Sequence, residues 1–124
     1  MTLKNNPDTL FSSLVESALE FLNKALAEFE VSPKFSTVHF AIAMELFLKA
    51  RLMKEHWSLL VEKTDSADKK QFFSGKAKTV NPQTAIQRLA KIAQDPVPEE
   101  ARLAFQAIAE HRNRMVHFLS LIHI

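Results

Sequence analysis

Val38-His-Phe-Ala-Ile-Ala-Met-Glu-Leu-Phe-Leu-Lys-Ala-Arg-Leu-Met53 is the longest apolar stretch of the chain, and its reading decides the fold. From Val38 to Leu48 it is apolar almost all round, the pattern of the most buried helix in a bundle. His39, Glu45, Lys49 and Arg51 interrupt it, so it reads as a buried helix rather than a membrane span. Ser32-Pro33 supplies its start signal, and the helix is expected to run from Pro33 to the region of Trp57 or Leu60.

Upstream, Asn6-Pro7-Asp8 is another helix start, with Asn6 as N-cap and Pro7 in the first helical position. Leu10, Leu14, Ala18, Phe21, Ala25 and Phe29 then recur every three or four residues, one face of an amphipathic helix. Downstream, Lys63 to Val80 lacks periodicity and reads as a loop, with a short helical turn around Gln71-Phe72-Phe73. A loop of this length is usually functional or mobile. Asn81-Pro82 opens a third helix carrying Ala85, Leu89 and Ile92 on one face. Asp95 to Pro98 is a Pro-bracketed linker. A last helix runs from near Pro98 to Phe118 or beyond, with Glu99 and Glu100 where the helix dipole favours acids. The end, Leu119 to Ile124, is more apolar than a domain end should be, and reads either as helix continued into an interface or as a non-native end. Four main helices, no convincing strand, no repeat and one long connection predict an all-α fold. The expected architecture is a single antiparallel four-helix bundle over residues 1–124, its core dominated by the first, second and fourth helices.

Composition narrows the function classes. The chain has 124 residues, enough for one core, with 47% hydrophobic and 24% charged residues as in ordinary globular domains. A single Gly argues against a Gly-rich phosphate loop, and the absence of Cys excludes disulfides, thiolate metal sites and a cysteine nucleophile. A net charge of +2 does not announce nucleic acid by itself. The polar start, Met1 to Asp8, carries no signal-peptide pattern, and a cytoplasmic location is expected. His39, His56, His111 and His123 show no metal-ligand spacing, so neither metal nor cofactor is expected.

The last helix holds the constellation with chemical content. Phe105, Ile108, Met115, Leu119 and Ile122 mark an apolar stripe, and Arg112 fills the one gap in it. A guanidinium at such a position needs a partner or a polar cavity. At about 100° per residue, Asn113 and His117 lie on one arc beside it, with Gln106, Glu110 and Arg114 near the same arc. Metal-free RNA cleavage needs a base for the 2′-hydroxyl and positive charge at the phosphorane. Histidine serves the first at neutral pH, arginine braces the second as a fork, and an amide orients either.

Arg112-Asn113-Arg114-Met115-Val116-His117 resembles the Arg-polar-x3-His signature of HEPN domains, in the last long helix where that family carries it. Ala41-Ile-Ala-Met-Glu-Leu-Phe-Leu-Lys-Ala50 is similar to the family's second helix, with Glu45 and Lys49 on one face. The resemblance covers about Asp8 to Phe118. It implies a helical bundle that forms a homodimer, bringing two copies of the motif together, and a metal-independent endoribonuclease that leaves a cyclic phosphate. By it His117 is the base, Arg112 the phosphate brace and Asn113 the orienting residue. Glu45, as a partner for Arg112, and Glu110 and Arg114, by their place near the same arc, are supporting candidates read from the residues themselves. It also implies RNA as substrate, an antitoxin or regulatory protein as a further partner, and a toxin, phage-defence or RNA-processing setting. In the HEPN toxins paired with minimal nucleotidyltransferases a tyrosine stands two residues after the histidine; that position here is Leu119.

Each reading has a plainer rival. Arg112 can instead pair structurally with Glu45 or Glu110, Glu45 and Lys49 read as a structural i, i+4 pair, and His117 can be an ordinary polar-face histidine. Lys69, Lys70, Lys76 and Lys78 are candidates for an RNA-facing surface, or simply a solvated one. Trp57, Phe72 and Phe73 read as packing rather than base-stacking residues. Arg51-Leu-Met-Lys-Glu-His56 matches the spacing a second time, but Leu52 replaces the polar residue and the match lies on the second helix. The alternative function is a non-catalytic module of the same fold binding RNA, a nucleotide or a protein.

Overall fold

The computed structural model describes residues 6–122, with side chains through His117. The fold is all-α: α1 Pro7–Glu28, α2 Pro33–Glu55, α3 Lys69–Phe73, α4 Pro82–Lys91 and α5 Glu99–Ile122, with 3₁₀ turns at Trp57–Leu60 and Thr64–Ser66. The proline start signals hold at the first two positions and at α4. Asn6 Oδ1 accepts from the Asp8 and Thr9 amides, and Asn81 Oδ1 from the Thr84 amide at 2.8 Å. No helix among the described residues is long and apolar enough to cross a membrane.

α1 and α2 form an antiparallel hairpin, the most extensive packing in the molecule. Its seam is made of small residues at a seven-residue period: Ala18 and Ala25 on α1, Ser36, Ala43 and Ala50 on α2, all buried. A seven-residue repeat keeps one face turned towards a partner helix, and small side chains let the backbones approach. Ser36, the one buried polar residue among the described side chains, is satisfied because its Oγ donates to Ala25 O at 2.6 Å. Near the hairpin tip His39 pairs with Glu28 across the same seam.

α2 contributes more buried residues than any other element, as its all-round apolarity predicts. It stops at Glu55 rather than Leu60 because His56 turns extended, and its Nδ1 accepts the Ser58 amide to cap the following 3₁₀ turn.

The core departs from expectation in one respect. It gathers Leu48, Leu52 and Met53 of α2 with Leu59, Leu60 and Val61, Phe72 and Phe73, Val80, and Ala85 and Leu89 of α4. Among the described side chains the third main helix completes it, and the last adds only the partly buried Phe105. Among the described side chains of α5 none is fully buried, and its stripe of Phe105, Ile108, Arg112 and Met115 is only half-buried. A charged group in the middle of that stripe makes full burial costly, so α5 lies against α2 as an outer layer.

The segment read as a loop is folded onto this core. Trp57, Phe72 and Phe73 stack with centroid separations of 5.0 to 6.3 Å, so they pack, as expected. The lone glycine ends α3. At φ +80° Gly75 donates to Phe72 O while Lys76 donates to Gln71 O, a Schellman closure that requires the left-handed conformation. A bridge between Val61 and Thr79, with Glu62 N donating to Lys78 O and Val80 N to Leu60 O, both at 2.9 Å, ties the two ends of the segment together.

Candidate functional site

Helical spacing builds a wide cleft between α2 and α5. Ala41, Met44, Glu45 and Leu48 are one face of α2, and Phe105, Ala109, Arg112 and Asn113 are one face of α5. The stretch Lys78–Pro82 with Thr84 and Glu62 closes the third side, leaving a cleft of about 810 Å³. Its walls differ in character. Met44, Leu48, Phe105 and Ala109 offer an apolar surface, whereas Glu45, Glu62, Lys78, Thr79, Arg112 and Asn113 offer polar atoms.

Arg88 on α4 holds the third side in place. Its Nη1 donates to Leu59 O and Val61 O, both at 2.6 Å, and its Nη2 to Glu62 O at 2.8 Å. A guanidinium serves three carbonyls of an irregular strand that would otherwise lack helix partners. Lys49, just behind the cleft lining, joins α2 to the same side by pairing with Glu45 at 3.3 Å and donating to Thr79 Oγ1 at 3.2 Å.

Of the residues expected to act together, Arg112 and Asn113 both line the cleft, and His117 is not part of its lining. Arg112 is half-buried, and its Nη1 donates to Asn113 Oδ1 at 3.2 Å, which turns the Asn113 amide nitrogen away from the guanidinium. Among the described residues the Arg112 guanidinium meets no carboxylate; Glu45 is held by Lys49, and Glu110 accepts from Gln106 Nε2 at 3.2 Å. The structural pairings considered for Arg112 are therefore not made. His117 is exposed, one helical turn beyond Asn113 on the same side of α5. Arg114 is exposed beside His111, with Nη2 3.5 Å from its Nδ1, and neither Arg114 nor Glu110 reaches the cleft.

The lysines divide. Lys78 lines the cleft and pairs with Glu62 at 3.4 Å, whereas Lys69, Lys70 and Lys76 are exposed outside it. Glu62, Thr79, Asn81 and Thr84 were not foreseen at the site, because long-range contacts bring them there: the Val61–Thr79 bridge, the Arg88 and Lys49 bonds, and the packing of α4 on α2. The second motif match is structural. Arg51 pairs with Glu55 at 2.8 Å and with Asp95 at 2.9 Å, and these hydrogen bonds, Glu55's first, raise its already high pKa. They anchor the α4–α5 linker to α2.

Among the described residues no group of three or more His, Asp or Glu is placed to hold a metal ion. Leu119 and the apolar end lie outside the described side chains. No protein-family model matches the chain, and neither a curated protein nor a solved structure matches it.

Proposed function

We propose that this chain is a metal-independent endoribonuclease of the HEPN type, an antiparallel four-helix bundle acting as a symmetric homodimer in a toxin, phage-defence or RNA-processing setting. The observation that carries the reading is Arg112. It sits in the apolar stripe of α5, half-buried at a cleft wall, bonded to Asn113 and to no carboxylate among the described residues. A charge retained at that position, with no structural ion pair, fits a group reserved for an anionic ligand.

In this reading His117 takes the proton of a 2′-hydroxyl as its oxygen bonds to phosphorus. Arg112 neutralises the equatorial phosphorane oxygens, and the bond to the 5′-oxygen breaks to leave a 2′,3′-cyclic phosphate. The second copy's histidine, protonated, supplies the proton to the departing 5′-oxygen. Two copies are needed because one offers a single base and a single brace. The outer-layer position of α5 leaves its motif-bearing half accessible to a second copy.

The test is cleavage of single-stranded and structured RNA by the purified protein, in the presence of a chelator. His117→Ala should lower the rate about 10²- to 10⁴-fold. Arg112→Ala should cost about 10²- to 10³-fold as the loss of a transition-state donor, without rescue by Arg112→Lys, which lacks the fork. The two losses should be non-additive, because both serve one step. His56→Ala should cut normally. If His117→Ala cuts as fast as the wild type, the nuclease reading fails and a non-catalytic binding module replaces it.

A further inference from the structure

The cleft beside Arg112 is larger than a phosphate needs. At about 810 Å³ it falls in the range of sites for whole small molecules, roughly 300 to 1,000 Å³. One side of it is apolar, made by Met44, Leu48 and Phe105, and suits the flat face of a base. What the edge of that base would meet is set by Glu45 and Asn113, which line the cleft from α2 and α5.

Glu45 is a carboxylate at the lining with one oxygen 3.3 Å from Lys49 Nζ. That pair is partly exposed, with the Glu45 side chain 36% accessible, so the carboxylate keeps acceptor capacity towards the cleft. Asn113 has its carbonyl oxygen engaged by Arg112 and therefore presents its NH₂ as donor. The cleft thus offers acceptors from one helix and a donor from the other. Among the four RNA bases only guanine carries two adjacent donors, N1–H and the exocyclic N2 amino group, next to an acceptor, O6. Adenine, cytosine and uracil each offer one donor on that edge.

We propose that the cleft is a base-specific subsite that takes guanine in single-stranded RNA, with Glu45 accepting from N1–H and N2–H and the Asn113 amide donating to O6. This rests on the reading of the same site as an RNA-cleaving one, and it adds a specificity: a guanosine sits next to the phosphate braced by Arg112. Lys49 is a positioning residue here, holding Glu45 and Thr79 in register across the cleft mouth.

The experiment is calorimetric titration of the full-length protein with 5′-GMP, 5′-IMP, 5′-AMP and 5′-UMP, beside cleavage of RNAs with a single G or a single inosine in a uridine-rich strand. GMP should bind, and IMP, which lacks only the N2 amino group, about tenfold more weakly, the loss expected for one hydrogen bond to a charged acceptor. Glu45→Gln keeps the shape and swaps one acceptor for a donor; it should erase the preference for GMP over IMP while circular dichroism stays unchanged. Equal binding of all four nucleotides, or no GMP binding at millimolar concentration, overturns the guanine subsite. The comparison of GMP with IMP on the wild type needs no variant to fold. GMP selectivity without RNA cleavage supports the subsite and sinks the nuclease. Cleavage indifferent to guanosine does the reverse.

Discussion

Arg88→Met isolates what holds the site together. The guanidinium makes three hydrogen bonds, to Leu59 O, Val61 O and Glu62 O. A hydrogen bond to a charged group is worth about 1.5 to 3 kcal/mol net. The carbonyl of exposed Glu62 regains water when the guanidinium is lost, so its bond counts for little. Leu59 and Val61 are buried, 8% and 7% accessible, and their carbonyls are poorly placed to be rehydrated. Two bonds at the lower end give a loss of about 3 kcal/mol, and methionine retains the apolar stem so that packing changes little. Urea unfolding followed by circular dichroism should show a lower midpoint with an unchanged slope. Arg88→Lys should recover only part of the loss, because a single ammonium nitrogen on a shorter side chain cannot reproduce the two-nitrogen fork that serves all three carbonyls. The same variant should loosen the Val61–Thr79 bridge and with it Glu62, Lys78 and Thr79 at the cleft, so that cleavage or nucleotide binding falls further than unfolding explains. A midpoint shift equivalent to less than about 0.5 kcal/mol, the scatter of ordinary surface substitutions, would refute the reasoning.

Two further outcomes are expected. Arg102 hydrogen-bonds Glu99 at the first turn of α5 and holds its carboxyl below the usual value near 4.5, so this pair stabilises the turn above that pH and the contribution is lost as pH falls through the lower folded value; the protection of the Arg102 amide relative to its intrinsic exchange rate should drop through that lower value in the wild type and show no such step in Glu99→Gln. Sedimentation at tens of micromolar should give a dimer whose α5 face is protected from exchange, and a monomer counts against the two-copy cleft.

Much of the fold is legible in the sequence because its signals are local. Three Pro-led starts, at Pro7, Pro33 and Pro82, each fall where the missing N–H costs nothing, and two carry a working asparagine cap. The all-round apolarity of Val38–Leu48 marks the central helix without any knowledge of its neighbours. The ranking of helices in the core was not legible in the same way. An apolar stripe says that a face is covered, not by what, and the α5 stripe with Arg112 in it reads like a core face while being only half-buried. The seven-residue repeat of Ser36, Ala43 and Ala50 is present in the sequence, yet small residues give little hydrophobic signal, so the most extensive helix packing among the described residues is hidden in plain composition.

The site divides along the same line. Arg112 and Asn113 stand out because a charge breaks a periodic stripe, and both reach the cleft. Glu45 stands out as a charge within a buried helix, but its partner is Lys49 on its own helix rather than Arg112 on another, since an i, i+4 contact needs no tertiary placement. Glu62, Thr79 and Thr84 carry no sequence signal at all. Glu62 and Thr79 reach the cleft through the Val61–Thr79 bridge, the Arg88 fork and the Lys49–Thr79 bond, and Thr84 through the packing of α4 on α2, long-range contacts that no periodicity encodes. The consequence is physical. The α5 half of the site is preorganised by a helix, whereas the Lys78–Asn81 half is held by the Val61–Thr79 bridge and the Lys49–Thr79 bond, against a segment that Arg88 fixes in turn. The stability of these few long-range contacts therefore governs how well that half of the cleft is formed before any ligand arrives.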